Sequence, residues 1–131
     1  MTFDAPEVFS LPMIVRLLRA SSWVSLATIV VLTLVPPAAR PVTGAPHFLE
    51  HASIFLMTGM LFALAYEIKT RSFILGAIAF SVGLELIQSF DPGRHARLSD
   101  ALIDATSMCV GILLSRAAIR LWLFCRNAWE T

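Results

Sequence analysis

Between Ala20 and Ala39 the chain sets down twenty consecutive residues without a charge. That is the length a helix needs to cross the hydrocarbon core of a bilayer, about 30 Å at about 1.5 Å of rise per residue. Inside lipid no water satisfies the backbone, so such a run is stable only as a helix that closes its own hydrogen bonds. Arg16 and Arg19 flank the run, Trp23 suits an interfacial anchor, and Pro36-Pro37 removes two successive amide donors and stops the helix. Residues 1–12 are polar with two prolines and read as a short surface lead-in. The run is followed by Val35-Pro36-Pro37 rather than by a small-residue cleavage site, so it is expected to be retained rather than removed as a signal peptide.

Three further stretches have the same character. Ala52 to Tyr66 is uncharged and reaches spanning length once Phe48 and Leu49 are included. Ser72 to Phe90 is interrupted only by Glu85 and ends at the turn signal Asp91-Pro92-Gly93. The fourth begins near Ser99, a candidate N-cap, carries Asp100 and Asp104 in its first turns, and runs apolar to Ser115. Arg116 and Arg120 can snorkel to the far interface, with Trp122 and Trp129 lying in or near it. Hydrophobic residues make up 57% and charged residues 15%, against about 25% charged in ordinary soluble domains. The expectation is one domain over residues 1–131, an all-α antiparallel transmembrane bundle of about four helices, with spans at roughly 17–36, 48–66, 72–90 and 100–121. The short link from Glu67 to Arg71 makes the second and third helices an antiparallel pair.

Basic residues divide unequally between the two sides of such a bundle. Arg16, Arg19, Lys69, Arg71, Arg116, Arg120 and Arg126 fall on one side, and Arg40, Arg94 and Arg97 on the other. Cytoplasmic loops carry the excess of Lys and Arg, so both termini are expected in the cytoplasm. A net charge of +1 with no basic cluster among aromatics points away from a nucleic-acid partner. Cys109 and Cys125 lie about 24 Å apart along one straight helix, beyond disulfide reach, and read as buried thiols. No cofactor-binding motif is present, and no cofactor is expected.

The same threading brings the start of the second helix, the end of the third and the start of the fourth to the outer side. His51, Glu85, Gln88, Arg94, Arg97, Asp100 and Asp104 then form a candidate ligand site there, with His47, Glu50 and Asp91 nearby. Charged groups within hydrocarbon are costly unless paired or hydrated, which makes them functional candidates. Helical spacing places Glu85 with Gln88, Asp100 with Asp104, and His47 with Glu50 and His51 on common faces. Glu85, about one and a half turns inside its span, is the deepest of the outer acids. Each residue also has a plainer reading. Glu85 could pair with Arg94 or His51 to hold helices together, Asp100 could serve only the helix dipole, His51 could be a satisfied interfacial group, and Arg94 and Arg97 could be solvated loop charges.

His47-Phe48-Leu49-Glu50-His51 matches the HxxEH string of inverted zinc peptidases. The surrounding enzyme is absent, so a chance match is the default and no metal site is assigned; the alternative is a metal-dependent enzyme in which Glu85, Asp100 or Asp104 adds a third ligand to the two histidines. Gly59, Gly76, Gly83 and Gly111 read as points of close helix packing.

The segment ELIQSFDPGRHARLSDALID resembles the VanZ-like family of small bacterial membrane proteins. Glu85, Gln88, Pro92, Gly93, Arg94 and Asp100 match its E-x-x-Q, P-G-R and following aspartate, and His51 with Gly59 matches a looser helix pattern. The likeness covers about His47 to Ser115. Phe55 stands where the family often has Tyr, Asp104 where Asn is common, and Ser107 where Gly is common, while His47 and Phe48 replace an acid-Lys pair. The resemblance implies a bacterial inner-membrane protein of the cell envelope, because the family's namesake is associated with resistance to the glycopeptide teicoplanin. It supplies no reaction.

Two functional expectations follow. In the first, the outer cluster binds an amphiphile such as a lipid-linked glycan precursor, with Arg94 and Arg97 facing phosphate and Glu85, Gln88, Asp100 and Asp104 facing hydroxyls. In the second, an intramembrane enzyme uses two carboxylates, or His51 with Glu85, for acid-base chemistry on an envelope lipid. No serine elbow, Gly-rich phosphate loop or metal set supports catalysis, so binding is preferred and no residue is assigned a catalytic role. A structural subunit that serves a membrane-protein partner is a third class compatible with the small size.

Overall fold

A computed structural model describes residues 11–35, 44, 46–90 and 98–129. They form four helices: α1 (Leu11–Leu34), α2 (His47–Ala65), α3 (Thr70–Gln88) and α4 (Leu98–Trp129). No strand occurs among the described residues. All four helices are long and apolar enough to cross a membrane, so the chain is an all-α multi-pass membrane bundle.

Helix ends follow local chemistry. Pro12 sits in the first turn of α1, where a missing amide costs nothing, so the helix begins at Leu11, within the segment expected as a surface lead-in. Its last turn closes with Val35 N–H donating to the Val31 carbonyl at 2.9 Å, immediately before Pro36. Pro46 caps α2 with its carbonyl, which accepts from Leu49 N–H at 2.9 Å. The fourth helix departs furthest from expectation, running to Trp129 over 32 residues. Neither Gly nor Pro follows Gly111, and charge at Arg116 and Arg120 ends a span without ending a helix. Ser99 is accordingly inside α4 rather than its N-cap, with its hydroxyl donating to Asp100 Oδ1 at 3.1 Å.

The most extensive interface joins α2 to α4, which run parallel. Here the backbones touch. A Cβ at Gly59 would collide with the Met108 carbonyl, and one at Gly111 with the Leu56 carbonyl. Hydrocarbon supplies no hydrophobic drive between helices, so close approach through small residues is what holds such a pair. By contrast, a Cβ at Gly76 or Gly83 would meet nothing within 4 Å, and these two are not packing points.

Around that pair, α1 packs antiparallel against α2 and α3 against α4. Buried Ser25 and Thr58 meet at 2.5 Å between their hydroxyls, and Thr58 donates in turn to the Ile54 carbonyl. The core continues through Ile29, Phe55, Ala63, Ala77, Leu84, Met108 and Ile112. Although their short link keeps α2 and α3 antiparallel, the two helices touch sparingly, because α4 packs against both.

One end of the bundle is basic and tightly tied. Arg116 donates to the carbonyls of Tyr66 and Ile68 at 2.9 and 2.8 Å and lies over the Phe73 ring. Arg19 reaches the Ala65 carbonyl and covers Tyr66, whose hydroxyl accepts from Trp23 Nε1 at 2.8 Å. Arg116 is thus turned back onto the bundle rather than extended to solvent. Cations at a helix C-terminus satisfy its orphan carbonyls and oppose its dipole.

Candidate functional site

At the opposite end, α2 and α4 each begin with polar residues. One turn into α2, His51 directs Nδ1–H at the Asp104 carboxylate, 3.0 Å from Oδ1 and 3.4 Å from Oδ2. Asp104 is 5% exposed and His51 is half-buried. An aspartate so placed in a membrane-spanning helix needs a partner, and His51 provides it across the closest helix contact in the bundle. The bond keeps a proton on Nδ1 in either charge state and leaves proton exchange to Nε2.

Phe55, 1% exposed, lies one turn below His51 and stacks against its ring with centroids 6.2 Å apart. Phe55 in turn meets Phe80 of α3 at 6.3 Å. An apolar floor therefore closes the site toward the membrane interior. The Phe55–Phe80 contact also fixes the level of α3. Four residues back along α2 is His51 and five on along α3 is Glu85; counting from the Arg116–Phe73 contact brings Glu85 level with Asp104 as well. Glu85 and Gln88, both half-buried, extend the inward stripe of Ala77, Ser81 and Leu84.

Asp100 stands one turn above Asp104, half-buried, and with Glu50 is near enough to add negative potential at His51. The structure therefore unites His51 with Asp104 and sets Glu85, Gln88 and Asp100 around the same level. It makes Asp104, not Glu85, the acid that the protein buries. Asp91, Arg94 and Arg97 lie outside the described residues, as does the side chain of His47, the first residue of the HxxEH string. Among the described residues no group of three His, Cys, Asp or Glu side chains converges as metal ligands do.

Comparison with family models, with curated proteins and with solved structures gives no match. The site is read from its own geometry.

Sequence reasoning did not single out Ser81. Its hydroxyl is buried on α3 without a hydrogen-bond partner among the described residues. The signal was available in its spacing, since Ala77, Ser81 and Glu85 recur every four residues on one face. The cysteines are both free; Cys109 packs against the core, whereas Cys125 is exposed rather than buried.

Proposed function

We propose that the chain is a VanZ-like protein of the bacterial inner membrane, with both termini cytoplasmic, and that its His51–Asp104 end binds the polar headgroup of a lipid-linked ligand outside the cytoplasm. The observation that carries this reading is the 3.0 Å pair itself, a half-buried histidine and a buried aspartate within spanning helices. Stability alone does not require such a pair, since apolar residues would fill the same space at no desolvation cost. Asp100, Glu85 and Gln88 at the same level supply acceptors and donors for hydroxyl groups, and Arg94 and Arg97 supply cations for phosphate. The apolar floor of Phe55 and Phe80 suits an amphiphile whose chain lies along the helices. Seven of the ten basic residues cluster at the opposite end, which supports the assignment of that end to the cytoplasm.

The family likeness supports an envelope role, and two of its departures fall together. Phe55 and Asp104, where Tyr and Asn are common, are the stacking and hydrogen-bonding neighbours of His51. Mass spectrometry of lipid bound to the purified protein and to Arg94→Ala tests the proposal. Loss of a polar-headgroup lipid in the variant is expected, and equal retention overturns it.

The His51–Asp104 bond favours one second reading, acid-base catalysis on an envelope lipid. A carboxylate on Nδ1 orients an imidazole for proton transfer at Nε2. Turnover of candidate envelope lipids lost in His51→Gln would favour it, and a lipid profile unchanged on deletion of the chain would count against it.

A further inference from the structure

At about 1.5 Å per residue, the 19 residues of α2 and the 19 of α3 each span about 28 Å, close to the hydrocarbon thickness. α4 has 32 residues and spans about 48 Å. Its start is level with the start of α2, so the excess lies wholly at the other end. Arg116 ties α4 to the α2–α3 link through Tyr66 and Ile68, and residues 121–129 are exposed without exception. The exposed run includes Leu121, Trp122, Phe124 and Trp129, the last 90% exposed. A helix end of this composition standing in water would be unstable against burial of its aromatic side chains.

Its charges indicate what covers it. Arg120 and Arg126 lie on this overhang, with the guanidinium of Arg126 held 4.9 Å from the centroid of the Trp122 ring. Lys69 and Arg71 stand nearby in the α2–α3 link and at the start of α3, while Glu67 is the acid at this end among the described residues. Helical spacing groups Arg116, Arg120 and Asn127 on one side, Leu121, Phe124 and Ala128 on a second, and Trp122, Arg126 and Trp129 on a third. A second copy docked here would bring arginines against arginines. Lipid phosphate would instead meet the cations while the rings enter the layer between headgroup and acyl chain, where Trp is favoured.

We propose that residues 117–129 of α4 form an anionic-phospholipid docking arm in the headgroup layer, in which Arg120 and Arg126 hold phosphate and Trp122 and Trp129, on the same side of the helix as Arg126, anchor it among the headgroups. Because the excess of α4 lies at one end, the space open to it runs from the outer hydrocarbon edge to the inner headgroup surface, about 35–38 Å, and a helix of this length stays within it when tilted by about 40°, the upper end of the range for membrane helices. This proposal is independent of the ligand assigned to the His51–Asp104 end.

All three tryptophans, Trp23, Trp122 and Trp129, lie at this end, so intrinsic fluorescence reports on it alone. The full chain is reconstituted in phosphatidylcholine vesicles that carry an equal mole fraction of either brominated phosphatidylglycerol or brominated phosphatidylcholine. A cation near an anionic surface contributes about a fivefold local preference. Quenching by brominated phosphatidylglycerol is therefore expected to be several-fold stronger at low salt, to fall as salt screens it, and to lose most of its advantage in Arg120→Gln/Arg126→Gln. Equal quenching by the two lipids at low salt overturns the proposal. So does absence of quenching with emission that follows protein concentration, which would assign the arm to a second copy. If the double variant fails to fold, the lipid preference and its salt dependence in the unaltered chain decide the matter.

Discussion

His51 and Asp104 face each other at 3.0 Å across two helices whose backbones, two turns further along, leave no room for a Cβ at Gly59 or Gly111. The polar contact and the glycine contact belong to one interface. Parallel helices that approach this closely have little freedom to slide, so the register that seats Gly111 against Leu56 also sets the distance between imidazole and carboxylate.

Gly111→Ala and Gly59→Ala should each destabilise the bundle by about 1–3 kcal/mol, because the added methyl meets a backbone carbonyl rather than a side chain that can turn away. Gly76→Ala and Gly83→Ala should be neutral or stabilising by up to about 1 kcal/mol, since their Cβ atoms enter open space and Ala is the better helix former. Thermal unfolding of the four variants in one detergent makes the comparison.

The pair itself should show coupling. A double-mutant cycle with His51→Ala and Asp104→Ala is expected to return about 1.5–3 kcal/mol of interaction, the range for a hydrogen bond to a charged group. Strictly additive effects in reversible unfolding would mean that the two side chains do not support one another.

Thr58→Val keeps shape and removes the hydroxyl that meets Ser25. Hydrogen bonds between membrane helices average about 0.6 kcal/mol, up to about 1.7 kcal/mol, because the unfolded chain in lipid also finds partners. A loss in that range is expected, and it should be smaller when Ser25→Ala is already present, leaving only the part due to the Thr58–Ile54 bond.

Arg116→Gln should loosen the link between α2 and α3, since the guanidinium donates to both Tyr66 and Ile68. A loss of about 1–2 kcal/mol is expected after allowance for its partial exposure. Amide hydrogen exchange should rise at residues 66–70 and stay unchanged around His51.

Much of the architecture was legible in the sequence because length and absence of charge decide whether a helix spans a bilayer. Pro36-Pro37 marked one end correctly, for a proline acts on the residue beside it and needs no tertiary context. Arg120 misled because charge bounds a span but leaves helix propensity intact, and α4 ran on to Trp129. The conjunction of polar residues at one end was readable from the alternation of spans. The choice of Asp104 over Glu85 as the buried acid was not, since it depends on how far α4 rotates when Gly111 seats against α2. Gly59 and Gly111 could not be told from Gly76 and Gly83 for the same reason, as all four sit in apolar helices and only packing separates them.

Whether the His51–Asp104 end holds a polar headgroup is decided by Asp104→Asn, because the amide keeps the size of the acid while removing its charge. Native mass spectrometry of the unaltered chain, of Asp104→Asn and of the distant control Gly76→Ala, all purified in the same mild detergent, gives the comparison. A bound polar-headgroup lipid is expected on the unaltered chain and on the control, with its loss from Asp104→Asn; retention of the same lipid by all three proteins would mean that this end of the bundle does not hold it.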